Sequence, residues 1–450
     1  MQPTTGVDAQ MSPLARLVRS DAFPGILLVA CALVAILVAN SPWSEAWAHL
    51  WHTPFAITLG EQTVAKSVAH WISDGLMVLF FFFVGLEIKY EVQDGQLQSL
   101  RQAALPVAAA LGGMAIPALV YWLVVSAQGA AEARSGWGIP MATDIAFALG
   151  VLALLGNRVP PGLKVFLASL AIADDLGAVL VIAIFYTAEI AWTYLGLGAL
   201  VLLASIVTNR MGVRRTWPYV VYGLILWATF LQSGVHATIA GVALALTIPG
   251  RRSLDEYEFT RRGRLLLDEF DRVGDPDPLT NAQQLGVVRE LQRHAMDVQA
   301  PLQRMAHGLH PLIAHFIVPV FALANAGVDV RTGFSTVAQH PAAQGVFLGL
   351  LLGKPAGVLL ASGLAHRVLK SPLPPGTTWP HLHGVAWLAG IGFTMSLFID
   401  GLAFAGQAAA FDASKVAILA ASFLAGSIGF AILRSASAAR PDLGVTDQKR

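Results

Sequence analysis

Residues 165–186 read VFLASLAIADDLGAVLVIAIFY, and Asp174 and Asp175 are the only charged side chains in that run. A span of this length and apolarity fits the hydrocarbon core of a bilayer, which takes about 17 to 25 residues in a helix. An ionised side chain at mid-bilayer costs at least ~3 kcal/mol on insertion scales, and two adjacent anions also repel each other. Intramembrane acids of this kind mark ion pathways, so the run implies both a membrane fold and an ion-handling function.

The rest of the chain agrees with that reading. Of its 450 residues, 55% are hydrophobic and only 13% charged, and the mean hydropathy is +0.62. This places it among polytopic membrane proteins. The single cysteine, Cys31, excludes an intrachain disulfide and a cysteine metal cluster. A net charge of +1 gives no basis for nucleic-acid binding.

Arg16 and Arg19 precede the apolar run 23–40, and Ala46-Trp47-Ala48 loosely resembles a signal-peptidase site. The run is long for a signal peptide and the triplet lies beyond polar residues, so it reads as a retained first helix. Spanning stretches follow near 68–88, 103–126, 138–155, 162–187, 190–208, 217–232, 235–249, 305–326, 343–366, 382–400 and 413–434, giving an all-α membrane protein with twelve transmembrane helices. With both termini cytoplasmic, twenty-four of the 29 basic residues fall on inside segments and only Lys66, Arg134, Arg331 and Lys415 outside. That satisfies the positive-inside rule. Lys354 alone lies deep in an apolar segment.

The expected organisation is a cytoplasmic N-terminus at 1–22, helices 1–8 over 23–250, a charged cytoplasmic insertion at 251–304, helices 9–12 over 305–436 and a cytoplasmic tail at 437–450. Residues 251–300 hold eight arginines and ten acids and read as a solvated insertion without its own core, ending in an amphipathic helix at 282–299. Near 54–66, FAITLGEQTVAKS alternates apolar and polar residues around Gly60, which suits a β-hairpin as well as an irregular loop.

Asp144 lies in GWGIPMATDIAFALG, where glycines and Pro140 interrupt a span and Thr143 sets a hydroxyl beside the carboxylate; LAGIGFTMSLF is interrupted in the same way by Gly390 and Gly392. Two broken helices point to an inverted-repeat transporter with its site at the midplane. Facing half-helices place positive N-terminal and negative C-terminal ends inside the membrane. Asp144 can balance two of the first kind and Lys354 two of the second.

Asp174 and Asp175 diverge by about 100° around their helix, so one can face Lys354 while the other offers anionic oxygens to a proton or a small hard cation. Adjacent acids titrate as a coupled pair, and competition between protons and cations for them is itself a mechanism of exchange. Asp74, Glu87 and Asp400 lie nearer the membrane edges and read as structural or interfacial. His236 reads as a core histidine. No GxxxxGK[ST] occurs, which argues against a P-loop ATP-driven pump.

The stretches VGLEIKYE at 84–91, ATDIAFALGVLALLG at 142–156, LASLAIADDLGA at 167–178, SGVHATIAG at 233–241, LHPLIAHFIVPVFALANAGV at 309–328, GKPAG at 353–357 and GIGFTMSLFI at 390–399 closely resemble the NhaA-type sodium/proton antiporters. The resemblance runs from about residue 14 to 436, interrupted by the charged insertion. It implies twelve helices with inverted repeats and two interrupted helices crossing at the midplane of the bacterial inner membrane. It also implies electrogenic exchange, in which proton entry expels sodium or lithium without a cofactor.

By the same resemblance, Asp174 and Asp175 are the cation and proton pair that meets the transported sodium, with Asp175 its foremost ligand. Thr143 and Asp144 are helpers at the crossing, and Lys354 is the partner of Asp174. Glu87, Glu91, His307 and His310 match the family's cytoplasmic pH-sensing face, where histidine titrates near neutrality. Where the family commonly has an acid before the first of these histidines, this chain has Ala306. The outer hairpin implies a homodimer within the membrane lipid.

Three other readings compete. An intramembrane aspartyl protease would use two acids sharing a proton, but the Gly-x-Gly-Asp motif that such proteases share is absent. A cation channel would draw its acids from symmetric rings or filter loops, and no filter-like repeat is visible. A proton-coupled carrier of a small organic solute would want polar or aromatic groups near the acids, whereas the neighbours of Asp174 and Asp175 are Ala, Leu, Ile and Gly.

Overall fold

Helices follow from the apolar runs because a backbone in hydrocarbon must satisfy its own polar groups. The computed structural model describes Ser20 and residues 22–59, 62–187, 190–251, 255–273 and 282–438. Most of the two expected cytoplasmic termini, with Arg16, Arg19, Arg440, Lys449 and Arg450, lies outside the described residues.

Among the described residues eight helical segments are long and apolar enough to cross a membrane, or ten if each of two bent pairs is one span. The sequence implied twelve. The difference falls in 217–249, where the helices are Trp217–Ser233 and Ala237–Thr247. Gly234, at φ +80°, ends the first in a left-handed cap that glycine adopts without steric cost. The second has 11 residues, roughly 16 Å at 1.5 Å per residue, well short of a ~30 Å hydrocarbon core.

The chain divides into two compact units. The larger holds residues 1–77, 96–187 and 313–450. In it, β1 (Pro54–Leu59) pairs antiparallel with β2 (Gln62–Ser67), Phe55 opposite Lys66. Lys66 Nζ reaches Asp74 Oδ2 at 3.2 Å, and Trp71 Nε1 donates to the Phe55 carbonyl at 2.8 Å, so the hairpin is tied to the helix that follows it.

The backbones of helices Leu100–Ala127 and Lys354–Val368 meet at two glycines in this unit. A Cβ on Gly357 would lie 2.1 Å from the Gly112 carbonyl oxygen, and one on Gly112 would lie 2.3 Å from that of Gly357. This approach sits less than a turn from Lys354, which follows a π-helical turn at Gly349–Gly353, a feature frequent at functional sites. Gly357→Ala is expected to cost about 1 to 3 kcal/mol by overpacking, read as a lower denaturation temperature in detergent. An unchanged temperature would show that the two helices can part without loss.

The smaller unit holds residues 78–95 and 188–312. Phe82, Leu86, Tyr219, Leu226, Phe230, Leu244 and Leu302 are buried together at its core. Lys89 Nζ donates to the carbonyls of Leu246 (2.7 Å) and Ile248, capping the end of Ala237–Thr247.

The charged insertion holds the helix expected near 282–299 and one more that its sequence did not suggest. It forms two helices, Glu256–Val273 and Ala282–Asp297, packed on each other with Leu266 and Val287 buried. The first was hidden by its charge, yet the charges support it: Arg261 and Arg262 hydrogen-bond Glu258 at helical spacing and hold its carboxyl below the usual range.

Candidate functional site

Helix Pro161–Phe185 carries both central acids, Asp174 at 0% and Asp175 at 1% exposure. Asp174 Oδ2 accepts hydrogen bonds from Lys354 Nζ and from Thr143 Oγ1, the latter at 2.7 Å. Asp174 Oδ1 is buried with no hydrogen-bond partner. Lys354 is itself fully buried, and Asp175 stands close enough to interact with its charge. The centre therefore gathers two acids, one base and one hydroxyl, all removed from solvent.

Thr143 and Asp144 occupy the break between Ala131–Met141 and Ile145–Leu154, two helical pieces bent by 45°. A second break, Gly390–Gly392, separates Trp379–Ala389 from Phe393–Ala403, and the two breaks are joined: Asp144 N donates to the Ile391 carbonyl at 2.7 Å. The Asp144 carboxylate accepts from Phe147 N at 2.9 Å and from Thr394 N at 3.1 Å. One carboxylate thus caps the N-termini of two helices, where unsatisfied N–H groups and the helix dipoles both favour an anion.

The C-terminal ends are served differently from the sequence reading, which gave both to Lys354. Lys354 Nζ donates to the Met141 carbonyl, while Thr143 Oγ1, whose single proton is shared between the Asp174 carboxylate and the Ala389 carbonyl, lies 3.0 Å from the latter. Lys354 has one ammonium and directs it to one helix end and to Asp174. The hydroxyl at the break serves the other end.

In the smaller unit, Phe83, Glu87, Tyr90, Ala306, His307 and His310 line a cavity of about 360 Å³. The His310 ring stands edge-on to Phe83 at 5.8 Å. Glu91 does not line this cavity, but lies close enough to Glu87 for their charges to interact. The structure therefore brings three of the four residues matched to a pH-sensing face around one cavity.

Among the described residues no three His, Cys, Asp or Glu side chains converge as a resident metal ion requires. Asp74 binds Lys66 and, at 3.8 Å, His70. His236 is half-buried at the start of Ala237–Thr247, and Cys31 is half-buried and free. Asp400, read from its position as interfacial, is instead 0% exposed, because Phe393–Ala403 is enclosed along most of its length.

A family model described as Na+/H+ antiporter 1 matches residues 15–433. The chain belongs to the Na+/H+ antiporter 1 family. The Na(+)/H(+) antiporter NhaA of Oleidesulfovibrio alaskensis is 46% identical over 430 residues, covering 95% of each chain. That of Koribacter versatilis is 46% identical over 434 residues, 96% of this chain and 93% of its own. That of Mesorhizobium japonicum is 48% identical over 421 residues, 93% of this chain and 94% of its own.

In this member of the Na+/H+ antiporter 1 family, two contributors to the centre escaped the sequence reading. Thr394 gives both its N–H and its hydroxyl to Asp144, and Ser396 Oγ donates to the Ile139 carbonyl at 2.8 Å. The available signal was the hydroxyl pair in FTMS directly after a double-glycine break. Hydroxyls at such a position are well placed to satisfy freed backbone groups.

Proposed function

We propose that this chain is a secondary antiporter of the bacterial inner membrane that expels Na+ or Li+ in exchange for entering H+. The observation that carries the reading is the Asp174 carboxylate. One oxygen is held by Lys354 and Thr143 and the other has no protein partner, beside an equally buried Asp175. Protons and sodium compete for these oxygens: cation binding on one side displaces protons, and protonation on the other releases the cation.

In this reading Asp175 is the sodium ligand and Asp174 exchanges a proton as its pair with Lys354 opens and re-forms, so that net charge moves in each cycle. Thr143 and Asp144 hold the two breaks together so that opposite helix ends face each other near the midplane. In this reading the ten spans by length, Trp217–Ser233 and the shorter Ala237–Thr247, which crosses only part of the bilayer, make up twelve membrane helices arranged as inverted repeats. Both termini are then cytoplasmic, and the positive-inside distribution supports that orientation.

The cavity of Glu87, His307 and His310 sets the pH range of activity, with Glu91 acting on Glu87 through charge. The β1–β2 hairpin joins two protomers within the membrane lipid.

The test is proton flux in everted vesicles holding a pre-set pH gradient. Addition of Na+ or Li+ is expected to collapse the gradient, with K+ far less effective. No response to any of these ions from neutral to alkaline pH would overturn the reading.

A further inference from the structure

A fourth buried acid lies outside the centre just described. Asp400 sits in the last turns of helix Phe393–Ala403, the helix whose other end is held by Asp144. It is fully buried, and neither carboxylate oxygen has a hydrogen-bond partner. The Ser414 hydroxyl, buried beside it, is the one neutral group near enough to turn toward the carboxylate, and it makes no closer hydrogen bond elsewhere.

The groups around Asp400 narrow what it can hold. Tyr121 and Tyr186 stand near enough to feel its charge, but both phenols donate elsewhere, to the carbonyls of Ala133 (2.5 Å) and Ser135 (2.6 Å). From helix Ala408–Ala438, Asp412 and Lys415 act on Asp400 electrostatically. The Lys415 ammonium rests over the Phe411 ring, 4.2 Å from its centroid. Glu132 and Arg134, on the adjoining segment Ala131–Met141, are exposed. The segment Val318–Asn325 carries no charge.

A bare metal cation needs several oxygens and the exclusion of competing positive charge. Here the carboxylate and one serine hydroxyl are what remain, and a lysine is close by. A proton needs a single oxygen. The carboxyl form suits the pocket as it stands, whereas the anion needs Lys415 to leave Phe411 and pair with it.

We propose that Asp400 is a second proton site, an outward station at which the carboxylate takes a proton from water on the outer side and its ion pair with Lys415 opens. On release the proton returns to water and the pair closes. The placement of this site on the outer side rests on the exchange reading above. Through the half-helix it shares with Thr394, its state then bears on the Asp144 junction and sets how exchange responds to outer pH.

The test uses wild type, Asp400→Asn and Asp400→Glu in everted vesicles, whose lumen corresponds to the outer side, together with infrared pH titration of the purified full chain. Wild type is expected to show a protonated-carboxyl band that titrates with pH, is lost in Asp400→Asn and moves in frequency in Asp400→Glu. The luminal pH midpoint of sodium-evoked exchange is expected to shift by roughly half a pH unit or more in Asp400→Asn, as for a group coupled to the exchange equilibrium, and to be restored in Asp400→Glu.

Superimposable luminal pH profiles for wild type and Asp400→Asn overturn the proposal even if the band disappears. So does a midpoint that Asp400→Glu fails to restore, which marks a structural role. If wild-type vesicles show no sodium-evoked flux, the exchange reading fails. The infrared titration then still decides whether Asp400 takes up a proton: an unchanged band in Asp400→Asn overturns this site on its own.

Discussion

Asp175→Asn is expected to abolish sodium-evoked proton flux while leaving the protein folded, membrane-inserted and at least as stable as wild type. The amide keeps the shape of the carboxylate and removes its charge. Depriving a buried cation of an anionic ligand leaves the ion poorly compensated, a penalty of about 3 kcal/mol or more, which is over a hundredfold in affinity. The folded protein without sodium gains in the same step, because Asp174 and Asp175 are adjacent, both buried, and repel each other when ionised.

The two effects have opposite signs, and this separates a transport ligand from a structural residue. Flux in everted vesicles and thermal denaturation in detergent are the paired measurements. Asp175→Glu, which restores the charge one methylene further out, is expected to recover part of the flux. Wild-type flux in Asp175→Asn would remove Asp175 from the ion path.

Lys354→Ala is expected to be among the most destabilising single changes in the chain. Lys354 is fully buried, and its ammonium serves the Asp174 carboxylate and the Met141 carbonyl together. Removing one partner of a buried ion pair strands the other and costs about 3 to 5 kcal/mol. Replacing both partners with neutral groups of similar volume removes that stranded charge.

Lys354→Met combined with Asp174→Asn is therefore expected to be markedly more stable than the sum of the single changes. The coupling should be near the upper part of the ~0.5 to 3 kcal/mol range seen for residues in contact. Thermal denaturation of the four proteins at one pH measures it. Strictly additive losses would mean that the pair contributes nothing as a pair. On the proposed mechanism the double variant also loses the charge movement that accompanies each cycle, which electrical recording on a supported membrane reads independently of stability.

The buried cluster of acids and lysine was legible in the sequence to the extent that each residue is anomalous on its own. Asp144, Asp174, Asp175 and Lys354 stand out because a charge in an apolar run is costly whatever its partner. Asp400 was misread by the same rule. Position along a run measures distance from its ends, whereas burial depends on which other helices close around it.

The helix Glu256–Val273 was missed because a dense charge run reads as solvated chain, although its ion pairs fall at helical spacing. Helix Ala237–Thr247 shows the opposite difference. Its apolar stretch reads as a whole span, and the backbone shortens it at Gly234 and His236.

Hydropathy and the cost of burying charge act locally along the chain, so the membrane class, the helical framework and the residues that carry charge inside it are all readable from the amino acids in order. Tertiary structure alone decided their partnerships. Lys354 meets Asp174 across 180 positions, Thr394 meets Asp144 across 250, and the hydroxyl of Thr143 takes a helix end that the sequence assigned to lysine. Such pairings depend on which breaks face each other and on backbones that touch at Gly112 and Gly357. No local pattern encodes a distance of a few ångströms between residues so far apart in the chain.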